Sequence, residues 1–359
     1  MINVSQKYII LLIAVLSFFT ALLYNEINLN YTREDAGSGL RYNETIACSD
    51  DVSYITPPEN YLKNGVWKDN APGRQSYFMR PPGYGLFYMI FLSFADPPFS
   101  LKLLKYCQLL LFALSVYCFF FITNFLIKNF RFSVIITILY GLSPFAAGFL
   151  YSTMTESITP ALVIFYVYFL LAAYRSERKN RKFILYIISS LVFAYIFITR
   201  PVLGILGIMM PFFLFRDYCR KGKIPVFISS LLVCGIISVS IMVLWLFRSY
   251  SITGRYVGLH PVYYAENNSE FRPTHKQIWE FAKGWGEEGA VFHGYILPLW
   301  KNTMKGDTSD IYIKNIIDAI PQYVKDHFGK ERLTEAFMLY RRSIFHQKMF
   351  YDMGKAMPC

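Results

Sequence analysis

Seven stretches of this chain, residues 8–24, 106–127, 132–150, 158–174, 183–199, 201–215 and 224–247, contain no Asp, Glu, Lys or Arg and are built mainly from Leu, Ile, Val and Phe. About 20 such residues span the ~30 Å hydrocarbon layer of a bilayer, and a helix satisfies its own backbone hydrogen bonds there. The chain is therefore expected to be an all-α polytopic membrane protein with seven spans, of which residues 201–215 form the shortest. The apolar fraction of 54% reflects these runs rather than a soluble core. Residues 8–24 lack a small-x-small cleavage pattern after them and are expected to stay as the first helix rather than to leave as a signal peptide.

The net charge of +12 would point to nucleic acid in a soluble domain. Here the connections 128–131, 175–182 and 216–223 alone hold eleven Lys or Arg, whereas 151–157 holds none. Cytoplasmic loops collect positive charge, so the excess reports orientation, and no nucleic-acid partner is expected. The amino terminus and the basic loops then face the cytoplasm. The loop of about 25–105, the turn 151–157 and the chain after 248 face the extracytoplasmic side. The division is a transmembrane module, 1–248, followed by a C-terminal region, 249–359. That region is expected to be mainly helical, with apolar faces over 309–328 and 331–349. Within the first loop, Pro82 to Ala95 is apolar but too short for a span and suits a re-entrant or interfacial helix. In a competing arrangement this segment spans and the amino terminus lies outside.

The residues able to do chemistry fall on the outer side. Asp50-Asp51 in Cys48-Ser49-Asp50-Asp51-Val52-Ser53-Tyr54 are adjacent acids just beyond the first span. A positioned carboxylate can take the proton of an attacking hydroxyl, and two adjacent acids resist joint ionisation or share a divalent cation. A solvated acidic turn or a helix cap is the plainer alternative. Arg80, ahead of Pro81-Pro82-Gly83-Tyr84, brings a fixed charge and a fork of donors suited to phosphate. Glu156 sits between two spans with no charge near it in sequence, and Arg200-Pro201 occupies the next outer turn, where Arg200 would either neutralise Glu156 or hold a lipid phosphate. Arg248 follows the last span. The five histidines are too scattered for a helical metal pair, and the six cysteines show neither CxxC nor metal-ligand spacing.

In order and sidedness these motifs resemble those of the GT-C glycosyltransferases, in particular the branch with protein O-mannosyltransferases and the aminoarabinose transferase of lipid A. Asp50-Asp51-Val52-Ser53-Tyr54 is similar to the first-loop acidic motif and Tyr77-Phe78-Met79-Arg80-Pro81-Pro82-Gly83-Tyr84 to the basic-Pro-Pro motif after it. Thr155-Glu156 resembles the second-loop acidic site, and Thr199-Arg200-Pro201 and Trp245-Leu246-Phe247-Arg248-Ser249-Tyr250 resemble later signatures. The resemblance covers residues 1 to about 260. It implies a seven-helix module with short juxtamembrane helices in its first loop. It also implies Asp50 as base, Asp51 as its partner, Tyr54 and Tyr84 as supporting residues, and Arg80, Arg200 and Arg248 at the donor phosphate. Glu156 would form a second acidic site, and a divalent cation, if used, would lie among Asp50, Asp51 and Glu156.

The expected activity is transfer of a sugar from a polyprenyl-phosphate donor to a hydroxyl on protein, lipid or glycan, outside the cytoplasm and with inversion. The competing classes are a transporter of lipid-linked sugars, against which the large acidic loop and absence of an internal repeat count, and a polysaccharide polymerase or ligase. The chain is shorter than many family members, which continue with further spans.

Overall fold

A computed structural model describes residues 4–34, 39–47, 51–69, 80–219 and 222–253. The chain divides into two compact units, Met1–Ser269 and Glu270–Cys359, and the described residues all belong to the first. The helices expected over 309–328 and 331–349 lie outside the described residues, as does Asp50.

The described residues are mainly helical. In chain order they form α1 (Val4–Glu34), β1 (Leu40–Arg41), β2 (Thr45–Ile46), α2 (Asp51–Asn64), α3 (Gly83–Leu92), α4 (Pro97–Ile127), α5 (Phe130–Gly141), α6 (Pro144–Ala147), α7 (Thr159–Arg175), α8 (Lys179–Thr199), α9 (Met209–Tyr218) and α10 (Ile224–Thr253). Short 3-10 turns cover Thr155–Ser157 and Pro201–Ile208. Five helical stretches among these are long and apolar enough to cross a membrane, namely Gln6–Arg33, Pro97–Ile127, Lys179–Thr199, Pro201–Tyr218 and Ile224–Ser251. Outward residues such as Leu12, Phe19, Leu139, Ile236 and Leu244 are more than half exposed, which suits a lipid-facing surface.

Local chemistry sets the ends. Asp96 precedes α4, whose first positions are prolines with no N–H to leave unpaired, and Lys128 closes it in a left-handed conformation, φ 57°. Asn129 caps α5 by accepting from the Phe132 N–H. The stretch 132–150, expected as one continuous span, is interrupted after Gly141, because Pro144 disfavours helical geometry at Ser143, which instead caps α6. The stretch 201–215 starts as 3-10 helix, with Gly204 and Gly207 pressed against the rings of Phe197 and Phe193. α3 has only 10 residues, roughly 15 Å at the helical rise, and so is half a bilayer core in length. With Phe130–Gly141 and Thr159–Arg175 it is one of three shorter apolar helices among the described residues.

The main helix contacts pair α7 with α8, α8 with α10, α1 with α4, and α4 with α5 and α7. α3 is wedged against α2, α4 and α8. Tyr54, Ile55, Tyr84, Tyr88, Leu101, Leu104 and Ile158 form one apolar cluster that seats the first-loop helices on α4 and the start of α7. Among the described residues the departure from helix is the β1–β2 hairpin, whose turn puts Tyr42 (φ 51°) and Asn43 (φ 59°) in the left-handed region. Ile46 bridges to Ser152, with its N–H donating to Tyr151 O at 2.9 Å, so the first loop is stitched to the 151–157 turn.

Candidate functional site

Asp51 begins α2 and is 1% exposed. Its Oδ2 accepts from Arg41 Nε at 2.7 Å and lies 2.5 Å from Arg41 Nη2, while Thr153 donates its hydroxyl to Oδ1. Burial pushes the carboxyl up to about 6, against the opposing charge of Arg41. Glu59, two turns along α2, is also raised by burial, and Tyr88 donates to its Oε1 at 3.2 Å. The charge of Arg41 opposes the upward shift at both acids. Asp50 directly precedes this helix and lies outside the described residues.

Arg80 is half-buried, its guanidinium 5.7 Å from the centre of the Tyr54 ring. Tyr54 meets Tyr84 edge-on at 5.5 Å. The Tyr84 hydroxyl lies 2.8 Å from Gln108 Oε1 and 3.3 Å from Ser152 O. Ser157 Oγ also lies 2.8 Å from Gln108 Oε1, and Gln108 Nε2 donates to Leu150 O at 2.6 Å. One buried amide on α4 thus joins α3 to both ends of the 150–157 segment. Tyr195 on α8 donates to Gly83 O at 2.7 Å, bringing the Arg-Pro-Pro-Gly turn against the end of α8.

Arg200, which caps that end, lies 2.5 Å from Glu156 Oε1, and Thr155 donates to Oε2 at 3.0 Å. The side chains are 40% and 30% exposed, so this pair is open to solvent. Arg248 stacks on the Trp245 ring at 4.3 Å and donates to Trp67 O at 3.0 Å. Trp67 meets Trp245 edge-on and packs close to Gly85. α10 is thereby tied to the loop that leads to Arg80.

Asp51, Tyr54, Arg80, Tyr84, Glu156, Arg200 and Arg248 thus belong to one linked set of contacts. The basic connections 128–131 and 175–182 and the start of α10 lie at the other ends of these helices. Sequence reasoning missed Arg41, Gln108, Thr153 and Lys105. Lys105 is 3% exposed, pairs with Glu44 Oε2 at 2.9 Å and faces the Tyr151 ring at 4.8 Å. Gln108 had a usable signal, as one of two amides, with Asn124, in the otherwise apolar 106–127 run. Arg41 had none, because its role depends on a hairpin turn that no strong turn dipeptide announces.

Chemically, the site combines a buried acid with a perturbed titration, a row of tyrosines and several arginines beside a solvent-open carboxylate. Asp51 and Glu156 are each engaged by an arginine and a hydroxyl, and among the described residues no three His, Cys, Asp or Glu are grouped as a cation would need. No family model, curated protein or solved structure matches the chain.

Proposed function

We propose that the chain is an integral membrane glycosyltransferase of the GT-C type, working on a polyprenyl-phosphate sugar at the extracytoplasmic face. The observation that supports it is the convergence of motifs scattered from Asp51 to Arg248 at the helix ends away from the basic loops. In this reading α1, α4, α5 with α6, α7, α8, the 201–218 stretch and α10 are the seven spans, and α3 is a juxtamembrane helix.

Asp50 takes the proton of the acceptor hydroxyl, whose oxygen bonds to the anomeric carbon. The bond from that carbon to the phosphate oxygen breaks, and its electron pair leaves with the polyprenyl phosphate toward Arg80 and Arg248. Asp51 holds the start of α2 through Arg41 and Thr153. The Tyr54 ring supports the Arg80 guanidinium, and Tyr84 backs Tyr54 edge-on. Arg200 balances Glu156 and is free to exchange that partner for phosphate, since both groups face solvent.

The test uses the purified full chain in liposomes with a polyprenyl-phosphate sugar and a hydroxyl acceptor. Free polyprenyl phosphate should appear in step with glycosylated acceptor, and Asp50→Asn should slow both on the order of a hundredfold or more. Transbilayer movement of intact donor without release of lipid phosphate would overturn the proposal in favour of a transporter.

A further inference from the structure

The opposite end of the bundle has a charged feature of its own. The turn before α8 and the first two turns of that helix line an open cleft of 640 Å³, formed by Arg178, Lys179, Asn180, Arg181, Ile184 and Leu185. Arg178, Lys179 and Arg181 are exposed and make no ion pair among the described residues. Lys182 in the same turn is spent on Asp217, at 2.6 Å. Glu177, also exposed, is the single acid in this stretch, so the cations outnumber it. Ile184 and Leu185 follow Arg181 by three and four residues, which puts them on the same helix face one turn deeper. Ile184 is 55% exposed. The cleft therefore presents cations at its mouth and apolar side chains one turn further along α8.

We infer that this cleft holds the phosphate of an anionic phospholipid, with the cations and the Asn180 amide on the headgroup and Ile184 and Leu185 against the first part of an acyl chain. A free phosphate ion would satisfy the cations but leave the apolar wall in water. The inference does not depend on the glycosyl-transfer reading.

The experiment places the purified full chain in vesicles of equal parts phosphatidylcholine and phosphatidylglycerol, then counts retained lipids by native mass spectrometry. The parent should keep phosphatidylglycerol in preference, and Arg178→Gln with Lys179→Gln and Arg181→Gln should lower that preference roughly tenfold or more. The same charge change made elsewhere at this end, Lys128→Gln with Arg131→Gln and Lys223→Gln, should leave it intact. Ile184→Asn, which alters no charge, should also reduce retention. Equal loss in the two triple variants would mean diffuse surface charge and overturn the site. Displacement of the lipid by inorganic phosphate, or retention unaffected by Ile184→Asn, would assign the cleft to a free anion and overturn the lipid.

Discussion

Gly83 and Thr199 touch through their backbones: a Cβ on Gly83 would lie 2.6 Å from both the Cα and the N of Thr199. This approach brings the segment that follows Arg80 against the end of α8. Gly83→Ala should therefore lower the unfolding temperature, with an overpacking cost of roughly 1–3 kcal/mol, because backbone atoms cannot swing aside as a side chain can. Gly235→Ala is the matched control, since nothing lies within 4 Å of its added carbon. Equal melting of Gly83→Ala and the parent in one detergent would show that the two segments do not touch.

Asp51 gives stability a pH dependence of known sign. Its folded-state pKa of about 6 lies above the ordinary value of about 3.9, so the folded chain binds this proton more tightly than the unfolded chain does. The contribution is fully present below about pH 4 and is lost as pH rises through about 6, with a size on the order of 1 to 3 kcal/mol. Urea unfolding from pH 4 to 7 should show this decline in the parent. Asp51→Asn, which cannot titrate, should make the decline shallower and leave the part that Glu59, also raised by burial, contributes.

Lys182 and Asp217 form a buried pair joining α8 to α9, with Tyr186 3.3 Å from Asp217 Oδ2. Asp217→Asn takes the carboxylate from the Lys182 ammonium, Lys182→Met takes the ammonium from Asp217, and each should cost roughly 3–5 kcal/mol. Lys182→Met combined with Asp217→Leu should recover most of that loss, because the desolvation cost disappears along with the attraction. Thermal melts of the three variants check this, and a double variant no better than the singles would contradict it.

Arg80 combines a cation over the Tyr54 ring with a fork of donors for phosphate. Arg80→Lys keeps the charge and loses the fork, so donor binding should weaken, and Arg80→Ala should weaken it further, by roughly 1.5–3 kcal/mol against the parent. Titration with a fluorescent polyprenyl-phosphate sugar gives the three dissociation constants. Equal affinity of all three would move the phosphate contact to Arg200 or Arg248.

The apolar runs, the basic loops and the short α3 were legible in the sequence, because transfer into lipid and retention of positive charge act on each segment by itself. The break at Ser143 also had a local signal in Pro144. α2 runs helical through Pro57-Pro58, which sequence rules would use to end it, because five buried neighbours from Ser53 to Pro57 pack it onto α3. Gly204 and Gly207 shape a 3-10 stretch only because Phe197 and Phe193 stand opposite. The candidate site divides in the same way. Its acids and arginines stand out as charges beside apolar runs, but the pairing of Asp51 with Arg41 and Thr153, and of Glu156 with Arg200, arises where separate helix ends and the hairpin are packed together. Hydropathy is a property of a segment, whereas the partner of a buried charge is a property of the neighbours that packing brings to it.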